Sequence, residues 1–206
     1  MKFLTLPLLV GLLVFCGCKP KEAGDAAQAT EVLSSVLAEE TLRLAAANKS
    51  VVIVTFDSSG KTMSVAEKKF RDALKEKGGT ILSTVAPKLG DPMSYDEFGW
   101  NGADFVETIQ KFPFAGAIVS FVGSPAIKAN QLGNIPPTHP PIVVVAVASL
   151  GGVPGIQNRS QLSTLINVRA VQLAIVDADP SAAGATGKTA ERKTFSKFYQ
   201  IISQAE

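Results

Sequence analysis

Five short runs of β-branched and small apolar residues constrain the fold of this chain more than any other feature: 51–57 (VVIVTFD), 80–85 (TILSTV), 115–122 (AGAIVSFV), 142–148 (IVVVAVA) and 171–176 (VQLAIV). Most are continuously apolar, as strands buried on both faces are. The segments between them have helical spacing. Ser64-Val65-Ala66-Glu67 offers a capping box in which Glu67 reaches back to the cap. Val65, Ala66, Phe70, Ala73 and Leu74 follow on one face, and Gly78-Gly79 stops the run. A helix is expected over 102–111 with Ala103, Val106 and Ile109 inward, ended by Pro113. A short one is expected over 126–131, and one capped by Ser160 carries Leu162, Leu165 and Ile166. A last amphipathic helix over 190–203 carries Phe195, Phe198, Tyr199 and Ile202. Strands alternating with helices predict an α/β fold: about five parallel strands with helices on both faces.

The first residues have the parts of an export signal. Met1-Lys2 is a short positive start, and 3–15 is an apolar run too short for a bilayer, which needs about 20 residues. Phe15-Cys16-Gly17-Cys18 follows and resembles the lipobox of bacterial lipoproteins, with Gly17 before Cys18. That resemblance implies cleavage after Gly17 and a lipid on Cys18. The chain would then divide into a signal (1–17), a lipid anchor with a flexible tether (18–30) and one α/β domain (31–206). Within that domain lie an N-terminal helix (31–47), a core (50–178) and a C-terminal helix (190–203). Residues 19–30 are small and polar, as a tether is, whereas 31–47 is rich in helix formers, with Thr30 placed to cap it. Cys16 and Cys18 are the only cysteines, so the mature body has no thiol for catalysis, a disulfide or a metal. With 206 residues the chain has length for one ordinary core, and a net charge of +2 gives no argument for nucleic acid.

Residues 51–177 resemble one lobe of the type 1 periplasmic binding proteins, the sugar-binding family. The resemblance rests on VVIVTFD, on a helix ending EKGG, on FVETIQKFPFAGAIVSFVGSP, on PPIVVVAVA and on VQLAIVDAD. It implies a three-layer, flavodoxin-like sheet with strand order 2-1-3-4-5. Members of that family have two lobes and close on ligand between them, whereas this chain has room for one. An aspartate that the family carries after the fourth strand is replaced here by Ala148-Ser149. Lys19, beside the lipidated cysteine, resembles the enterobacterial lipoproteins that pass to the outer membrane, and so implies its periplasmic face.

In an open parallel sheet a ligand sits outside the carboxyl ends of the strands, where the strand order reverses. With order 2-1-3-4-5 that point is flanked by Asp57, Ser58 and Ser59 and by Gly123 and Ser124, with Ser149 and Asp177 ending neighbouring strands. Asp57 could accept hydrogen bonds from ligand hydroxyls, or it could cap its own loop with nothing bound.

Other signals are weaker. Residues 182–189 (AAGATGKT) fit a relaxed phosphate-binding loop, but 177–181 separates them from the preceding strand. His139 is the single histidine, set among prolines, so no histidine metal site exists. Ser124 and Ser149 lack the context of a nucleophile elbow. Trp100 beside Phe98 reads as a cap on the core or as a stacking face for a sugar.

These readings favour a lipid-anchored, non-enzymatic binding module for a small ligand or an envelope protein, without cofactor or metal. A homodimer is one way to close the half site. The alternatives are a structural lipoprotein without a ligand, and an enzyme.

Overall fold

A computed structural model of the chain describes residues 21–57, 59–61, 63–88, 100–148, 159–179 and 187–204. The export signal and Cys18 lie outside the described residues, as do Ser58, Ser149 and most of the 182–189 loop. The elements, in order, are α1 (Lys21–Ala45), β1 (Ser50–Val54), α2 (Val65–Glu76), β2 (Thr80–Val85), β3 (Trp100–Asn101), α3 (Gly102–Lys111), β4 (Ala117–Ser120) and β5 (Pro125–Ala126). A 3-10 turn (Ala129–Asn134) leads to β6 (Ile142–Ala146), α4 (Arg159–Asn167), β7 (Leu173–Asp177), α5 (Ala190–Phe198) and β8 (Tyr199–Ser203).

The main sheet has six strands in the order β2-β1-β4-β6-β7-β8, all parallel except that β8 runs antiparallel to β7. The first five keep the expected order 2-1-3-4-5, and β8 adds a sixth. Side chains along each inner strand alternate between two cores. Val51, Ile53, Val119, Phe121, Val143, Val145, Leu173 and Ile175 pack with α1, α2 and α5 on one face. Val52, Val54, Ile118, Val144, Ala146, Ala174 and Val176 pack with α3 and α4 on the other. Both faces are therefore dry, which is why these strands are apolar throughout. Phe70 is fully buried on α2 with its ring 5.4 Å from that of Phe121. Phe70→Ala is expected to cost about 3–5 kcal/mol through lost burial and the cavity left behind. Urea unfolding would show this as a lower midpoint at an unchanged slope.

Several expectations need correction, among them Val65, which is exposed and not on the buried face of α2. The tether drawn over 18–30 is helical from Lys21 onward, because its alanines, Glu22 and Gln28 favour the helix by more than Gly24 and Asp25 oppose it. The C-terminal helix stops at Phe198. Beyond it Ile201 packs into one core and Ile202 into the other, a period of two that fits only a strand. Tyr199 to Ser203 hydrogen-bonds along β7, a tertiary pairing that overrides a helix-like local pattern. In α3 the buried residues are Gly102, Phe105, Thr108 and Ile109, so Phe105 takes the place expected for Ala103, which is exposed. Ser160 lies inside α4 rather than ahead of it, its carbonyl accepting from Thr164 Oγ1.

Two polar networks bind the helices to this frame. Between α1 and α5, Arg192 Nη2 donates to Glu40 Oε1 at 2.7 Å, and Arg43 Nε donates to Glu40 Oε2 at 2.8 Å. Burial works to raise the Glu40 carboxyl, but hydrogen bonds from Arg43 and Arg192 and their charges outweigh it, holding the group below its ordinary value near 4.5. A carboxyl depressed on folding adds stability above its unfolded value and loses it as pH falls through the folded one. Arg192→Ala is therefore expected to cost about 1–2 kcal/mol at neutral pH. That loss should shrink as pH falls below about 4.5. An equal loss at pH 3 and pH 7 in urea titrations would contradict the assignment. The second network joins α2 to the carboxyl ends of β1 and β2. Ser64 caps α2 by accepting from Glu67 N, but the Glu67 carboxylate, expected to reach back to the cap, instead points inward to Thr55 and Arg71.

Candidate functional site

The crossover from β1 through α2 leads to β2 on one side of β1, and the crossover from β2 through α3 leads to β4 on the other. Strand order thus reverses between β1 and β4, the position at which open parallel sheets take their ligands. Val54 pairs with Ser120, so the two loops depart side by side. Asp57 and Ser59 follow β1, and Gly123 and Ser124 follow β4.

Each segment has a local cause. Asp57 Oδ1 accepts from Ser59 N at 2.8 Å and its carbonyl from Gly60 N at 3.2 Å, a side-chain turn of the Asx kind. On the β4 side, Ser120 Oγ donates to Gly123 O at 2.8 Å, and Gly123 has φ +83°, a backbone conformation that glycine adopts without strain. Ser124 follows with only 6% exposure, and its hydroxyl has no hydrogen-bond partner. A buried hydroxyl left unpaired costs about 1–3 kcal/mol, and here it is sealed beneath the turn and not presented at the surface.

Asp177 lies apart from these residues. It ends β7, three strands from β1, or roughly 14 Å at the usual spacing of strands. Its Oδ2 accepts from Ala148 N at 2.9 Å and so ties the end of β6 to that of β7. The other signals resolve structurally as well. Trp100 is fully buried with its ring edge-on to Phe105, centroids 4.9 Å apart, and offers no face to a sugar. Thr189 caps α5 by accepting from Arg192 N at 3.2 Å, and Lys188 is exposed. His139 is half-buried, with Nδ1 2.8 Å from Pro140 O. Among the described residues no group of three or more His, Cys, Asp or Glu side chains could hold a metal ion. A separate concavity of about 410 Å³ lies over the first turns of α3, lined by Ala103, Val106, Glu107, Gln131 and Asn134 among others. None of the expected site residues is among its described lining residues.

Sequence reasoning missed Ser120, which shapes the Gly123 turn, and the Thr55–Glu67–Arg71–Thr84 cluster beneath the Asp57 loop. Position 67 sits three residues before Phe70 and seven before Leu74, on the inward face of α2. That spacing alone marked it as a buried carboxylate.

Strand order, crossovers and covering helices define a doubly wound, three-layer α/β lobe whose strand order reverses between β1 and β4. No protein-family model matches the chain, and no curated protein does. Two solved structures are similar to part of it. One, a periplasmic ribose ABC transporter protein of Conexibacter woesei, is 19% identical, with a TM-score of 0.44 over 70% of this chain and 45% of its own. The other, a sugar ABC transport system substrate-binding protein of Bordetella parapertussis, is 13% identical, with a TM-score of 0.42 over 81% of this chain and 43% of its own. The chain thus spans less than half the length of either.

Proposed function

We propose that this protein is a lipid-anchored lipoprotein of the cell envelope, on the periplasmic face of the outer membrane. It acts there as a non-enzymatic binding module for a small, sugar-like ligand. The observation that carries the reading is the reversal of strand order between β1 and β4, which brings the segments after them, with Asp57 and Ser59 and with Gly123, to the end of the sheet where such folds take ligands. The turn at Gly123 would let backbone approach a sugar hydroxyl closely. Asp57 and Ser59 would complete the site from the β1 side. The lipid on Cys18 rests on the lipobox and on the lack of any other cysteine in the mature chain. Among the described residues no helix is long and apolar enough to cross a membrane, and attachment is assigned to the lipid.

An open half site buries less of a ligand than a typical pocket, which covers about 70–90% of it. Binding is therefore expected to be weak in the monomer and stronger in a face-to-face pair. The test is a thermal-shift screen of pentoses, hexoses and nucleosides on residues 21–206, with light scattering on the same sample. A ligand-stabilised species whose shift disappears in Asp57→Ala supports the reading. A monomer indifferent to all of them contradicts it. The second reading, an interaction lipoprotein without a small ligand, is favoured by one observation: Asp57 Oδ1 already serves its own loop through Ser59 N.

A further inference from the structure

Helix α1 ends at Ala45 and β1 begins at Ser50, so a loop of only four residues, 46–49, joins them. The C-terminus of α1 therefore lies at the amino ends of the strands, and its N-terminus lies at their carboxyl ends. A hydrogen bond confirms the direction: Ser34 Oγ donates at 3.0 Å to the carbonyl of Ala66, in the first turn of α2, which itself starts at the carboxyl end.

The lengths do not match. At 1.5 Å per residue the 25 residues of α1 extend about 37 Å. The five residues of β1 cover about 16 Å. Residues 29–45 pack along the body, so the eight residues 21–28, about 12 Å of helix, project past the core at the carboxyl end of the sheet. Exposure marks the same boundary: 24–28 are all exposed, whereas Ala29, Val32, Leu33, Val36 and Leu37 are buried in the core. The buried part is fixed to the body by that packing, by the Glu40–Arg192 pair and by the ion pair of Glu31 with Lys69. Cys18 is three residues before Lys21, and three extended steps reach at most about 11 Å.

We infer, resting on the lipid-anchored reading above, that the lobe is held with the carboxyl end of its sheet toward the bilayer. It stands on the projecting turns of α1 and does not swing on a tether. The strand reversal between β1 and β4 then faces the lipid headgroup layer across a gap of about 12–23 Å, and whatever binds there arrives along the membrane surface. The orientation follows from helix direction, helix length and the position of the lipidated cysteine together.

The test uses the full chain, processed and lipidated in a bacterial host and reconstituted into phosphatidylcholine–phosphatidylethanolamine vesicles that carry a headgroup-linked acceptor dye. The mature chain has no cysteine besides Cys18, so Lys61→Cys and Lys77→Cys each give one labelling site, ahead of α2 and just past its end. The two positions lie about 18 Å apart along α2, and energy transfer from position 61 is expected to exceed that from position 77 at least about twofold. Inserting a Gly/Ser linker of about 15 residues before Lys21 should erase the difference. Equal or reversed transfer in a chain that is lipidated and membrane-bound would overturn the orientation while leaving the anchor intact. If the mature chain carries no lipid by mass, and Cys18→Ser leaves its membrane binding unchanged, the anchor reading falls and the orientation falls with it.

Discussion

Arg71→Ala is expected to destabilise the protein by about 3–5 kcal/mol, the usual cost of leaving a buried carboxylate without its counter-charge. Glu67 is only 2% exposed, on the inward face of α2. Its Oε1 accepts from Arg71 Nε at 3.0 Å and Nη2 at 2.7 Å, and its Oε2 from Thr55 Oγ1 at 2.6 Å. Arg71 Nη2 also donates to Thr84 Oγ1 at 3.1 Å, so one guanidinium joins α2 to β2. Without it, Thr55 is the one neutral donor left to the carboxylate among the described contacts. The loss should appear as a lower urea midpoint. Replacing both partners with methionine should recover most of it, since an apolar pair of similar volume avoids the desolvation cost. A single variant as stable as the parent would show that the pair is bathed in water. The same cluster supports the site: Thr55 lies two residues before Asp57, and its amide donates to Val85 O at 2.9 Å.

Gly116→Ala is expected to cost about 3 kcal/mol or more, through overpacking that nothing nearby can relieve. A methyl group there would lie 1.6 Å from the carbonyl oxygen of Asn48 and 2.9 Å from that of Ser50. Both are backbone atoms, so no flexible side chain can step aside. The site is also where the loop before β4 is fastened to the loop before β1. Gly116 N donates to Ser50 O at 2.7 Å, and Asn48 Nδ2 donates to Phe114 O at 2.6 Å. A β-carbon would force these loops apart and disturb the β1–β4 pairing at the strand reversal. Gly24→Ala is the control. Nothing lies within 4 Å of a β-carbon there, and alanine suits the helix interior better than glycine. Thermal unfolding should separate the two variants clearly, and similar melting temperatures would contradict the close approach.

What was legible in the sequence was whatever depends on local pattern. The runs at 51–57, 142–148 and 171–176 are apolar because each strand is covered on both faces, and that requirement falls on every residue of the run. Their spacing gave the crossovers, and the crossovers gave the reversal between β1 and β4. Tyr199 to Ser203 was not legible. Its aromatic and β-branched residues suit either period, and pairing with β7 decides the matter at a distance. The extent of α1 was missed for the opposite reason: small polar residues read as a linker, yet alanine is also the best helix former. At the site, the Asx turn of Asp57 follows from local chemistry. The unpaired hydroxyl of Ser124 depends on how β5 packs, and no spacing in the chain announces it.

The most direct test of a ligand site at the strand reversal is hydrogen–deuterium exchange on residues 21–206, with and without a saturating mixture of pentoses and hexoses. Protection is expected in the segments that follow β1 and β4, 55–61 and 121–126, with little change around the end of β7. Unchanged exchange throughout, or protection confined to the concavity over α3, would contradict it.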